Sequence, residues 1–112
     1  MAQPQNAAEP YQKVNVEQAK EMIARGDVQV VDVRTPAEYQ TGHIPEARSI
    51  PLDSVLANPR GVLPEERILF VCQVGQRSAI AAEMAAAIGL KDLYNLEGGT
   101  EAWIKSGSPV AR

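Results

Sequence analysis

Two hydrophobic rhythms alternate along this chain. "VQVVDVR" (residues 28–34) is a β-branched run suited to a strand buried on both faces. "RILFV" (67–71), apolar without a break from Ile68, is expected as the central strand. "ARSIPL" (47–52) reads as a short strand that Pro51 ends, and "DLYNLE" (92–97) as a further strand. The segments between them change to helical spacing. In "VNVEQAKEMIARG", Val16, Ala19, Met22 and Ile23 share one face, Asn15 with Gln18 forms a capping box, and Gly26 stops the helix. "TPAEYQTGH" predicts a short helix with Thr35 as cap and Pro36 at its first position. "DSVLANP" predicts one helical turn before a loop rich in Pro and Gly. "RSAIAAEMAAAIG" predicts a helix with Ile80, Met84 and Ile88 on one face and Gly89 as C-cap. "GGTEAWIKSG" is expected as a last short helix, and "SPVAR" as a tail that docks.

Strands that alternate with helices give an α/β fold, a mainly parallel sheet with helices on both faces. Ligands in such sheets sit at the carboxyl ends of the strands. Cys72 ends one strand, and Asp32 and Arg34 end another. These groups are expected to converge on one edge of the sheet.

Composition narrows the classes. The 112 residues suffice for one compact domain, expected over 11–112, behind a polar, disordered tail over 1–10. The net charge of -3 argues against nucleic acid as a partner. No run of eighteen apolar residues is present to span a membrane, and the start lacks the pattern of a secretory signal. One Cys and one His make neither an internal disulfide nor a structural zinc site. A lone thiol suits a reducing compartment, so the expected location is the cytoplasm.

The stretch "ILFVCQVGQRSAIAAEM" carries the candidate chemistry. A free Cys at the end of an apolar strand is commonly inert packing. A polar, Gly-containing turn with a helix aimed at the sulfur is not needed for packing. Loop amides and the first turn of the helix form an anion cradle, with Gly75 allowing the backbone to turn. A sulfur at its centre is stabilised as thiolate, the nucleophilic form. Arg77 adds a cation at the end of the loop, and Ser78 is placed to cap the helix. Cysteine phosphatases hold phosphate in a loop with five residues between Cys and Arg. Here there are four, Gln73, Val74, Gly75 and Gln76. A smaller ring suits one extra atom on sulfur, as in a persulfide.

At this point the chain resembles the rhodanese domain, a sulfurtransferase family. "CQVGQRS" resembles its active-site loop, "VVDVRTPAEYQTGHIPEARSIP" its first signature, and "LEGGTEAWIKSGSPV" its closing segment. In the family's order they cover most of residues 28–110. The resemblance implies a single-domain sulfurtransferase of the thiosulfate sulfurtransferase type. Cys72 is then the catalytic residue, and Gln73, Val74, Gly75, Gln76 and Arg77 bind the sulfur substrate through their backbone amides. Sulfane sulfur moves from thiosulfate or a persulfide to cyanide or a thiol, with no metal or organic cofactor and with a protein donor or acceptor as a further option. In the family pattern His43 is structural. Two departures stand out: Glu46 replaces a common Gly, and Arg77 is the only cation in the loop. The neutral loop leaves thiosulfate and persulfides equally open as donors. Asp32 and Arg34 are expected to be structural, with Arg34 paired to Glu38, and the alternative is that Arg34 faces the mouth of the pocket. Trp103 is expected to pack in the core, and Gly98–Gly99 to form a turn. The alternatives are a sulfur carrier that accepts only from a partner, and a cysteine phosphatase or arsenate reductase.

Overall fold

A computed structural model of the chain describes residues 9–112. Residues 1–8 of the expected disordered tail lie outside the described residues. Glu9 and Pro10 are exposed, and Tyr11 is already buried.

The chain runs β1 (Gln12–Val14), α1 (Val16–Arg25), β2 (Gln29–Asp32), α2 (Pro36–Gln40), β3 (Arg48–Ser49), α3 (Leu52–Ala57), α4 (Pro59–Val62), β4 (Ile68–Val71), α5 (Gln76–Ala87), β5 (Leu93–Leu96) and α6 (Gly99–Lys105). The strands form one parallel sheet in the order β1-β5-β4-β2-β3. β4 is central, as the unbroken apolar run predicted. Its side chains alternate between two cores. Ile68 and Phe70 join Val31, Val55, Ala81, Ala82 and Ala85 on one face. Leu69 and Val71 join Val30, Ala19, Met22, Leu96 and Trp103 on the other. So α3 and α5 cover one side of the sheet, and α1 and α6 cover the other.

Local capping follows the sequence. The Asn15 side chain accepts from the Gln18 amide at 2.8 Å, and the Gln18 side chain accepts from the Asn15 amide at 2.9 Å. Gly26 closes α1 in the left-handed region at φ 72°. Thr35 and Glu38 cap α2 in the same reciprocal way, with Pro36 at its start. The tail docks, as Ala111 pairs with His43 through both backbone bonds and the Trp103 indole donates to the Pro109 carbonyl at 2.7 Å.

Three local expectations are corrected. The loop after α3 holds an extra helical turn, α4, capped by the Asn58 side chain. The helix after Cys72 starts at Gln76 with Gly75 as its N-cap, so Ser78 does not cap it. Nor does that helix bury Ile80, which is 46% exposed. It buries Ser78, Ala81, Ala82 and Ala85, spaced at i, i+3, i+4 and i+7. Small side chains let the helix backbone lie close to β4 and β5. A face of Ile80, Met84 and Ile88 would hold it further out.

Candidate active site

β4 delivers Cys72 to the carboxyl edge of the sheet, 1% exposed. The chain then turns through Gln73, Val74 and Gly75 into α5. Gly75 adopts φ 109°, a left-handed conformation that a side chain resists. This turn brings its amide to 3.1 Å from the Cys72 Sγ. Ser78, one turn into α5, places its hydroxyl 3.3 Å from the same sulfur.

The loop carbonyls are held on the opposite side. The Thr100 amide donates to the Cys72 carbonyl at 2.8 Å, and the Glu101 amide donates to the Gln73 carbonyl at 3.1 Å. With those carbonyls bound by the start of α6, the loop amides are left to the sulfur. Gly99 makes this approach feasible. A Cβ there would lie 2.5 Å from the Cys72 carbonyl oxygen and 2.6 Å from that of Gln73. The Gly98–Gly99 turn thus serves contact between two backbones.

Burial of the sulfur pushes the Cys72 thiol up. The Ser78 hydroxyl and the amides of Ser78, Gly75 and Val74 outweigh that effect, and the net position lies below the ordinary thiol value. The site therefore favours a thiolate in a buried pocket of donors.

The first signature reaches the loop through two arginines. Arg34 is fully buried, and its Nε and Nη2 grip the Asp32 carboxylate at 2.9–3.2 Å. Nη2 also donates to the Gly42 carbonyl at 2.8 Å, and Nη1 donates to the Gln73 Oε1 at 3.2 Å. Arg34 is thus both structural and in contact with the cysteine loop. The expected Arg34–Glu38 pair does not form. Glu38 instead takes Arg77 in a bidentate pair at 2.8 and 3.0 Å. The Arg77 hydrogen bonds and the Thr35 amide hold the Glu38 carboxyl down to about 2. Glu38 in turn pushes the Arg77 guanidinium up, burial opposes this, and the nearby Cys72 and Asp32 charges add to it. The Arg77 side chain is therefore charged but already paired, and its charge reaches Cys72 only through space.

The remaining sequence candidates fall where their chemistry places them. Val74 stands out to solvent at 46% exposure, and Gln76 is exposed at the start of α5. His43 stacks on Tyr39 with ring centres 3.7 Å apart, and its Nδ1 lies 2.8 Å from the Tyr39 carbonyl. Trp103 is core. Sequence reasoning missed Asn95, whose Oδ1 lies 2.5 Å from the Ser78 hydroxyl and whose Nδ2 donates to the Gly75 carbonyl at 3.2 Å. The available signal was a lone amide in the apolar run "LYNL". Among the described residues, no cluster of His, Cys, Asp and Glu is arranged to hold a metal, and no helix is long and apolar enough to cross a membrane.

Known proteins resemble this chain in sequence and in fold. The chain is 34% identical over 96 residues to the thiosulfate sulfurtransferase GlpE of Pseudomonas paraeruginosa, covering 86% of each. It matches the crystal structure of a rhodanese-related protein from Thermoplasma volcanium with TM-score 0.81 at 30% identity, over 90% of this chain and 98% of that one. A Rhodopseudomonas palustris protein of unknown function, described as a possible tyrosine phosphatase, matches with TM-score 0.82 at 27% identity over 99% of both chains. A ring of amides around a cysteine occurs in more than one enzyme class, but the sequence model of the rhodanese-like domain matches residues 15–106, and the chain belongs to that family.

Proposed function

We propose that this chain is a rhodanese-type sulfurtransferase that carries sulfane sulfur as a persulfide on Cys72. The observation that carries the proposal is the sulfur itself, buried at the end of β4 yet met by the Gly75 amide and the Ser78 hydroxyl. These donors favour the thiolate, which attacks the outer sulfur of a donor. With thiosulfate, a new S–S bond forms at Cys72, the sulfur–sulfur bond of the donor breaks, and sulfite leaves with the electron pair. An acceptor such as cyanide or a thiolate then attacks the outer sulfur of the persulfide. The Cys72 thiolate is released and the cycle closes with no cofactor. The amides of Gln73, Val74, Gly75, Gln76 and Arg77 are the proposed cradle for the outer sulfur. Relatives named thiosulfate sulfurtransferase, at 29% and 34% identity, support this reaction class.

Two features bear on the donor. Arg77, the loop's cation, is already engaged by Glu38, and Gln73 and Val74 are neutral. A low-molecular-weight or protein persulfide is therefore the proposed donor in a reducing, cytoplasm-like setting, with thiosulfate as a weaker substitute.

The description of the Rhodopseudomonas palustris protein raises phosphate ester hydrolysis as a second reading. That chemistry calls for an arginine free to grip the phosphate and a wider loop. The engaged Arg77 and the four residues between it and Cys72 favour sulfur transfer instead.

Intact mass after incubation with thiosulfate or glutathione persulfide, followed by cyanide, tests the proposal. One added sulfur on Cys72, discharged as thiocyanate and absent in Cys72→Ser, is the expected result. Loading without discharge would make the chain a carrier rather than an enzyme. Hydrolysis of an aryl phosphate without any sulfur loading would replace the reading by the second one.

A further inference from the structure

Ser78 has one hydroxyl hydrogen and two acceptors within reach. The Asn95 Oδ1 lies 2.5 Å from its Oγ, and the Cys72 Sγ lies 3.3 Å away. One hydroxyl donates to one of them at a time. The orientation of the Asn95 amide is set by its other end, because Nδ2 donates to the Gly75 carbonyl at 3.2 Å. Turning the amide over would place two carbonyl oxygens against each other. Oδ1 therefore faces Ser78 purely as an acceptor. Asn95 sits in β5 opposite Phe70 of β4 and is 5% exposed, so water is a poor substitute partner.

We infer that Asn95 is a positioning residue that competes with Cys72 for the Ser78 hydroxyl proton and so sets the balance between thiol and thiolate. The inference rests on Cys72 being the nucleophile. With Cys72 protonated, Ser78 donates to the Asn95 Oδ1 and accepts the thiol hydrogen on its own oxygen. When the thiol ionises, the Ser78 hydroxyl turns to the sulfur, and the Asn95 Oδ1 loses its donor. Ionisation therefore breaks one short hydrogen bond as it makes another. Asn95 restrains the thiolate that the amide ring promotes, while its Nδ2 keeps the Gly75 carbonyl turned out of the ring.

Several charges surround this relay. Arg77, paired with Glu38, reaches Cys72 from α5. Arg34, paired with Asp32, reaches it from the segment after β2 through Gln73. Lys13 lies opposite Asn95 in register on β1, and Glu101 binds the Gln73 carbonyl through its amide from α6. All of them are unchanged in the variants below, so their fields cancel in the comparison.

The experiment is the pH dependence of Cys72 alkylation by iodoacetamide in the full chain, where Cys72 is the only thiol. Asn95→Leu keeps the volume and removes the acceptor. Its alkylation midpoint is expected to fall by about one pH unit, a tenfold gain in thiolate below the midpoint. In a Ser78→Ala background, where only the Nδ2 contact to the Gly75 carbonyl is left to lose, the same substitution is expected not to lower the midpoint. A residue that merely braces the loop would, when lost, loosen the ring and raise the midpoint in both backgrounds. A raised or unmoved midpoint in the Ser78-containing chain overturns the inference. Should Asn95→Leu lose its cooperative thermal transition, the Asn95 side-chain amide shifts of the unmodified chain decide. They are expected to titrate with Cys72 and to lose most of that response in Ser78→Ala, whereas equal responses overturn the inference. Alkylation needs no sulfur transfer. Failure of the midpoints to shift and failure of sulfur loading are thus separate results.

Discussion

Arg34 and Arg77 both hold a carboxylate beside the cysteine loop, one in the interior and one at the rim. The Arg34 and Asp32 side chains are 2% and 1% exposed, whereas Arg77 and Glu38 are each 35% exposed. Inside, every guanidinium nitrogen of Arg34 has a partner, and one of them is the side chain of Gln73. This pair is part of the scaffold, and removing half of it strands a charge away from water. At the rim, solvent can replace either partner. That pair can therefore be lost at little cost to the fold, and on the proposed reaction it sets how much positive charge an anionic donor meets.

Replacing one interior partner should produce the largest effect. Arg34→Met leaves Asp32 buried and uncompensated, and about 3–5 kcal/mol of stability is expected to disappear in urea denaturation. If the loss is below about 1 kcal/mol, Asp32 has found water and the interior assignment is wrong. Pairing Asp32→Leu with Arg34→Met is the sharper form. The double variant is expected to recover much of the loss, since no lone charge remains. A fully additive loss would show that Arg34 acts mainly through Gly42 and Gln73.

Gly99→Ala probes a third support of the loop, which has no charge at all. The added methyl meets the Cys72 and Gln73 carbonyls at φ 60°, so roughly 1–3 kcal/mol of destabilisation is expected, with sulfur loading reduced at least tenfold. Loading at the native rate would mean that α6 can retreat without disturbing the ring.

Glu38→Gln gives the smallest stability change, about 0.2–1 kcal/mol as for other exposed pairs. Its pH dependence has a definite sign. The folded carboxyl titrates at about 2, below the ordinary carboxylate value, so its contribution is present above about pH 4.3 and is lost as pH falls towards 2. Stability of the two chains is expected to converge in acid. Freeing Arg77 should also raise loading from the thiosulfate dianion by about threefold relative to glutathione persulfide, the scale of one exposed charge. An equal change with both donors would remove Arg77 from donor selection.

What could be read from the sequence was local or strongly periodic. The Asn15–Gln18 capping box and the Thr35 cap need only three residues of context, and the apolar run at 68–71 needs none beyond itself. The convergence of Cys72 with Arg34 followed from the parallel topology. Pairings across the fold were not readable. Glu38 stands four residues from Arg34 but bonds to Arg77, 39 residues away, because Asp32 had already taken Arg34. The buried face of α5 was misjudged because side-chain size was weighed above closeness of approach, and alanines won. Asn95 escaped because a single amide in an apolar strand has no periodic signature, only a partner that folding supplies.

The support of the ring by Thr100 and Glu101 has one more consequence. The groups that meet the Cys72 sulfur are a main-chain amide and the Ser78 hydroxyl, on a loop braced by a contact between two backbones at Gly99. The side chains of Val74 and Gln76 stand outside that set and face solvent. On the proposed reaction, contacts with the donor at the rim and the strength of the nucleophile thus rest on different groups. If the proposed sulfur transfer holds, Val74 and Gln76 can diverge towards new sulfur partners, in nature or by selection in the laboratory, without retuning the thiolate each time.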